Sequence, residues 1–190
     1  MTGSAAIVVL AGGRATRFPG KLDRTIGGET MVQRVCRNAR ATGLPVYLAG
    51  SEAFTPASAR GLDVAMLRDR WPGGGPLRAL ASACAFLDCD YVFALAGDEP
   101  NVDASVLNAL AAAARPEDEA VVPRHDARLE PLAALYRRSA LAREAEALFA
   151  HGEFAMHALL KRLRVRGIDV PASYFANVNV PADLARAAMR

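Results

Sequence analysis

The alternation along this chain constrains its fold more than any other feature. Short, continuous apolar runs recur, and segments with apolar residues at helical spacing separate them. AAIVVLA (5–11) is rich in β-branched residues and reads as a strand buried on both faces. MVQRVCRNARA (31–41) has the spacing of an amphipathic helix, which Gly43 ends. PVYLAG (45–50), LDVAML (62–67) and YVFALAG (91–97) read as the second, third and fourth strands. PLRALASACAFL (76–87) opens on proline and reads as a helix, and Asp103 is placed to cap another through 104–114. AVVP (120–123) and PLAALY (131–136) look like further strands, with the polar, turn-like RHDARLE between them. Helical patterns follow at 139–149 and 155–163, then a short strand at 165–170 and a last helix at 181–190 with Pro181 in its first turn.

Strand–helix–strand alternation implies a mostly parallel sheet covered by helices on both faces. The 190 residues show no internal repeat and no low-complexity linker, which suits a single domain over 1–190. A net charge of +3, with the basic residues dispersed, argues against nucleic acid as a partner. No apolar run approaches the ~20 residues of a spanning helix, and the first residues lack a basic leader region. The expectation is therefore a cytoplasmic protein with no membrane partner. Cys36, Cys84 and Cys89 form no CxxC pair and read as buried, reduced thiols. His125, His151 and His157 match no metal-binding pattern.

In open sheets of this kind, ligands bind just beyond the carboxyl ends of the strands. The first such loop is GGRATRFPGK. Gly12 and Gly13 carry no Cβ and let the backbone approach a ligand closely, with successive N–H groups turned to an anion. Arg14, Arg17 and Lys21 follow, and this combination suits a triphosphate. It is not a P-loop, because six residues separate Gly13 from Gly20 and Leu22 stands where a magnesium-binding hydroxyl is needed. Nor is it a GxGxxG dinucleotide turn.

Asp98 ends the fourth strand, while Asp88 and Asp90 lie at its other end, about 25 Å away. A carboxylate beside a triphosphate calls for a cation, and Mg²⁺ is the natural one. A turn or capping aspartate is the alternative role for Asp98. The side chain of Glu99 is expected to point elsewhere. Asp69, in RDRWPGGGPL, is placed to contact a ribose or base, or to make a surface salt bridge. Trp71 either covers a bound ring or seals this loop, and Gly73 to Gly75 permit a close approach. Asn179, in NVNVP, suits an N-cap and equally an oxygen offered to Mg²⁺ or a hydrogen bond to phosphate.

Taken together, LAGGRATRF…GK, RDRWPGGGPLRAL, FALAGDEP, EPLAALY and NVNVPADL resemble, in order, the molybdenum cofactor guanylyltransferases and their nucleotidyltransferase relatives. The resemblance spans nearly the whole chain. It implies a three-layer α/β/α, Rossmann-like nucleotidyltransferase domain. It also implies Mg²⁺-dependent transfer of a nucleoside monophosphate from an NTP to a phosphorylated acceptor, with release of pyrophosphate. By the same resemblance, Leu10, Ala11, Gly12 and Gly13 would hold the guanine and phosphates, and Lys21, with Arg17 nearby, the triphosphate. Asp69 would contact the nucleotide, Asp98 would bind Mg²⁺, and Asn177 and Asn179 would sit near the acceptor or metal. LAGG, where cytidylyl relatives tend to show LAAG, leans towards GTP, with molybdopterin as acceptor. The chain departs from the family pattern in Phe18, in the proline before Gly20, in Gly97 for a cysteine, in Val180, and in Ala49 where the family often has asparagine. Alternatives of the same fold are a cytidylyltransferase, another nucleotidyltransferase with a different phosphorylated acceptor, or a silent nucleotide-binding domain.

Overall fold

The computed structural model describes residues 2–11, 21–50, 62, 64–70 and 74–175. One eight-stranded mixed sheet organises them. Inside it lies β1 (Ala5–Leu10), all six residues of which are buried. β4 (Val46–Gly50) lies parallel on one side of β1, with β5 (Ala65–Arg68) parallel beyond it. β6 (Tyr91–Ala96) pairs with β1 on the other side, also parallel. The succession therefore runs outward from β1 to β5 and then reverses to β6. That makes the gap between β1 and β6 the topological switch point, where such sheets open a crevice at their carboxyl edge.

Beyond β6 the sheet departs from all-parallel. β9 (Ala133–Arg137) inserts antiparallel between β6 and β7 (Ala120–His125). β10 (Val165–Asp169) then adds parallel to β7 at the edge. RHDARLE, expected as a turn, instead extends β7 to His125 and returns through β8 (Arg128–Leu129) as a hairpin. Asp126 (φ 45°) and Ala127 (φ 61°) supply the left-handed conformation that tight hairpins require. A second hairpin, β2 (Thr25–Ile26) with β3 (Glu29–Thr30), was not foreseen. The third strand begins three residues later than expected and ends at Arg68, in register with Tyr47 to Gly50.

Side-chain alternation divides the core into two layers. Ile7, Val9, Phe93 and Leu95 meet α1 (Met31–Arg40) and α3 (Ala104–Ala113). Val8, Leu10, Val92 and Ala94 meet α2 (Pro76–Cys84), α4 (Arg138–Ala150) and α5 (Met156–Arg162). This is the expected α/β/α sandwich. The helix starts follow from local chemistry. The Thr30 hydroxyl accepts from Gln33 N, and the Gln33 amide oxygen accepts from Thr30 N at 2.8 Å, a reciprocal cap. The Asp103 carboxylate accepts from Ser105 N at 2.9 Å and Val106 N at 3.4 Å, as its position foretold. Pro76 opens α2. Cys36 and Cys84 are buried, and burial pushes both thiols up to about 12. Cys89 is only half-buried, because it lies in the turn before β6 rather than on a core face.

Asp118, Glu119, Arg164 and Arg166 form an ion-pair network where β7 and β10 begin. This is the edge opposite the carboxyl ends of the strands. Among the described residues no helix is long and apolar enough to cross a membrane.

Candidate active site

The carboxyl ends of β1 and β6 are tied together. Gly97 N donates to Leu10 O at 3.0 Å, and Ala11 N donates to Ala49 O at 2.8 Å. Leu10 and Ala11 are buried, so the main chain forms this edge rather than the side chains. Ala49 therefore adjoins Ala11 directly. Gly97 is confined here. A Cβ on it would stand 3.0 Å from Leu10 O and 3.6 Å from Ala11 Cα.

Asp98 follows in the turn after β6 and is half-buried. Glu99, next to it, is 5% exposed, so the two carboxylates do occupy different environments, as expected. The loop they belong to is held from below. Asn38 of α1 donates through Nδ2 to Pro100 O at 3.1 Å and to Val102 O at 3.2 Å. Sequence reasoning missed Asn38, since a polar residue in an amphipathic helix carries no signal of the loop it meets. Asn101 Nδ2 donates to Ser173 O at 3.5 Å, and the Ser105 and Tyr174 hydroxyls lie 3.4 Å apart. The chain is thus brought beside the Asp98 loop shortly before Asn177.

Asp69 leaves the end of β5, where its N–H donates to Gly50 O at 3.1 Å. The buried Ser82 hydroxyl of α2 donates to Asp69 Oδ1 at 3.4 Å and accepts from Arg70 N at 3.3 Å. Asp69 is therefore held at the carboxyl edge by a helix that the sequence reading had not connected to it. Asp90 lies at the opposite edge, as expected, where it accepts from Ser4 N at 2.8 Å. Lys21 opens a short 3₁₀ turn, Lys21–Asp23, lying against α1. Gly12, Gly13, Arg14, Arg17, Trp71, Gly73, Asn177, Asn179 and the expected last helix lie outside the described residues.

The structure thus gathers Leu10, Ala11, Asp69 and Asp98 at one sheet edge, with Leu10, Ala11 and Asp98 at the switch point and Asp69 beyond β4 at the end of β5. The donor available there is a carboxylate oxygen. Hard oxygen donors suit Mg²⁺, which takes one or two carboxylates and completes its shell with water and substrate phosphates.

Over residues 7–167 the sequence matches the MobA-like NTP transferase domain. The chain belongs to the MobA-like NTP transferase family. A probable molybdenum cofactor guanylyltransferase from Mycobacterium marinum is 35% identical over 191 residues, covering 95% of this chain and 92% of that one. A 3-deoxy-manno-octulosonate cytidylyltransferase from Methylococcus capsulatus is 35% identical over 136 residues, 70% of this chain and 50% of that one. Among solved structures, molybdopterin-guanine dinucleotide biosynthesis protein A from Archaeoglobus fulgidus superposes with a TM-score of 0.77 at 25% identity, covering 97% of both chains. This NTP transferase is a nucleotidyltransferase, and enzymes of its kind generally use a divalent metal.

Proposed function

We propose that this NTP transferase moves GMP from GTP to the phosphate of molybdopterin in the cytoplasm and releases pyrophosphate, with Mg²⁺ as its metal. The observation that carries this reading is the 3.0 Å link from Gly97 N to Leu10 O. In this reading it brings the end of β1 that would face the nucleotide to the turn that carries Asp98. The names of the guanylyltransferase relatives support guanine and molybdopterin.

In this reading the main chain from Leu10 to Gly13 receives the guanine and phosphates, and Asp69 the nucleoside. Lys21 and Arg17 steady the β- and γ-phosphates. Asp98 would hold Mg²⁺, which supplies charge neutralisation at the phosphate oxygens. Asn177 and Asn179 would serve the acceptor or the metal. An acceptor phosphate oxygen forms a bond to the α-phosphorus while the bond to the α,β-bridging oxygen breaks, and pyrophosphate departs with that electron pair. A dianionic phosphate needs no general base, so positioning and electrostatics carry the rate.

Titration calorimetry with GTP, CTP, ATP and UTP, with and without Mg²⁺, tests the nucleotide. Pyrophosphate release on adding molybdopterin tests the acceptor. Selective, Mg²⁺-strengthened GTP binding is expected. A preference for CTP would move the chain to the cytidylyl relatives, the second reading that the Methylococcus capsulatus similarity favours.

A further inference from the structure

We propose that Arg78 receives the anionic group of the acceptor and that Phe154 holds it aimed for that purpose; the assignment rests on the transfer reaction above. Arg78 lies in the first turn of α2, which starts at the loop beyond the carboxyl end of β5 and covers β1, β4 and β5. Helical side chains lean towards the helix N-terminus, and here that direction is the carboxyl edge. α4 begins where the antiparallel β9 ends, at the opposite edge, and so runs back to the carboxyl edge, where the turn after it carries Phe154.

The two elements meet in a stack. The Arg78 Cζ lies 3.8 Å from the Phe154 ring centroid and 5.8 Å from that of Phe149. The two rings stand 5.7 Å apart. Stacking fixes the guanidinium plane and leaves its N–H groups, which lie in that plane, for an anion. Among the described residues no carboxylate pairs with Arg78. By contrast Arg124 is bonded to Asp169, Arg143 to Glu119 and Glu144, Arg162 to Glu144, and Arg166 to Asp118. A planar, oriented cation with no carboxylate partner among the described residues, at the edge where ligands bind in such sheets, matches a phosphate.

Its layer decides which phosphate. The Lys21–Asp23 turn lies against α1, and Leu22 packs into the α1/α3 side of the core. Arg78 stands in the α2/α4/α5 layer. The Lys21–Asp23 turn and Arg78 therefore belong to layers on opposite faces of the sheet. In-line displacement places nucleophile and leaving group on opposite sides of phosphorus. Lys21 therefore serves the departing pyrophosphate and Arg78 the incoming acceptor. The acceptor phosphate dianion bonds to the α-phosphorus, the α,β-bridging bond breaks, and the four charges of pyrophosphate leave with it, so no proton is consumed or released.

The test is steady-state pyrophosphate release with molybdopterin varied at saturating GTP, in wild type, Arg78→Met, Arg78→Lys and Phe154→Leu, with GTP affinity measured separately by calorimetry. Arg78→Met is expected to raise KM for the acceptor 10- to 100-fold, on the scale of a lost charged hydrogen bond, with kcat and the GTP Kd changed by less than about threefold. Arg78→Lys should recover much of that loss, and Phe154→Leu should raise KM by roughly three- to tenfold through a loosened guanidinium. If Arg78→Met does not fold, Phe154→Leu decides by its own KM shift. Turnover with an unchanged acceptor KM in folded Arg78→Met or Phe154→Leu overturns this assignment alone. GTP binding with no turnover on molybdopterin in wild type overturns the functional reading, and this assignment with it.

Discussion

Gly97 and Leu10 touch through the main chain. The Gly97 N–H reaches the Leu10 carbonyl oxygen at 3.0 Å, and a side chain at Gly97 would begin 3.0 Å from the same oxygen. A Cβ there must displace the end of β1 by a few tenths of an ångström. Gly97→Ala also restricts the unfolded chain, which offsets part of that cost by roughly 0.4–1 kcal/mol. It is expected to be near neutral in stability. Gly97→Val adds bulk with nowhere to go and is expected to cost about 1–3 kcal/mol, with weaker GTP binding because the nucleotide edge moves. Urea unfolding and GTP calorimetry on both variants check this, and a fully stable Gly97→Val with unaltered GTP binding would refute it.

Asp98→Ala and Lys21→Ala are each expected to lower turnover by about a hundredfold or more, the scale of losing one key electrostatic contact. They should differ in binding. Asp98→Ala should abolish the strengthening of GTP binding by Mg²⁺, whereas Lys21→Ala should weaken GTP with or without the metal. Near-normal turnover in both folded variants would remove them from the site.

Asn38 donates to two carbonyls of the loop that carries Asp98. Asn38→Ala leaves both acceptors without that donor and is expected to destabilise the protein by about 1–3 kcal/mol. It should also lower Mg²⁺-dependent GTP affinity although Asn38 is not placed among the ligand-binding groups. Asn38→Asp, which cannot donate when ionised, should behave like Asn38→Ala. Thermal melts together with calorimetry test the pair, and a variant with wild-type values in both would show that the loop holds itself.

The ion pairs at the far edge make stability depend on acid. Burial works to raise the Asp118 carboxyl, but hydrogen bonds from the Arg166 guanidinium and Arg115 N outweigh it, and its pKa falls below the ordinary 3.8. Burial opposes Glu119 likewise, and Arg164 N with Arg143 bring it below the ordinary 4.5. Both groups titrate lower when folded than when unfolded. Their stabilisation is therefore whole above the unfolded values and is lost as pH falls through the folded ones. Stability measured by urea should be flat in this respect from pH 7 to about 5 and decline below about 4. Arg166→Ala should flatten the decline. A variant that keeps the full acid slope would place its origin elsewhere.

Much of this was legible in advance, and where it was not, the reason is physical. β1, β4 and β6 were found within a residue of their limits because a strand buried on both faces is a continuous apolar run. Asp103 and Pro76 announced their helices by chemistry confined to one turn. The β7–β8 hairpin was hidden because its turn places Asp126 and Ala127, not glycine, at positive φ. The insertion of β9 between β6 and β7 was hidden because a buried apolar run looks the same whichever way it points.

The amino-acid sequence by itself determined the α/β class, the main strands and the helix starts, since periodicity and end chemistry are local properties. Only the tertiary structure decided which residues meet. Gly97 against Leu10, Asn38 under the Asp98 loop, Ser82 beside Asp69 and Arg78 on Phe154 are separated by between 13 and 87 positions. No local pattern encodes such pairs. They arise when strand order and helix packing bring distant segments to one edge of one sheet.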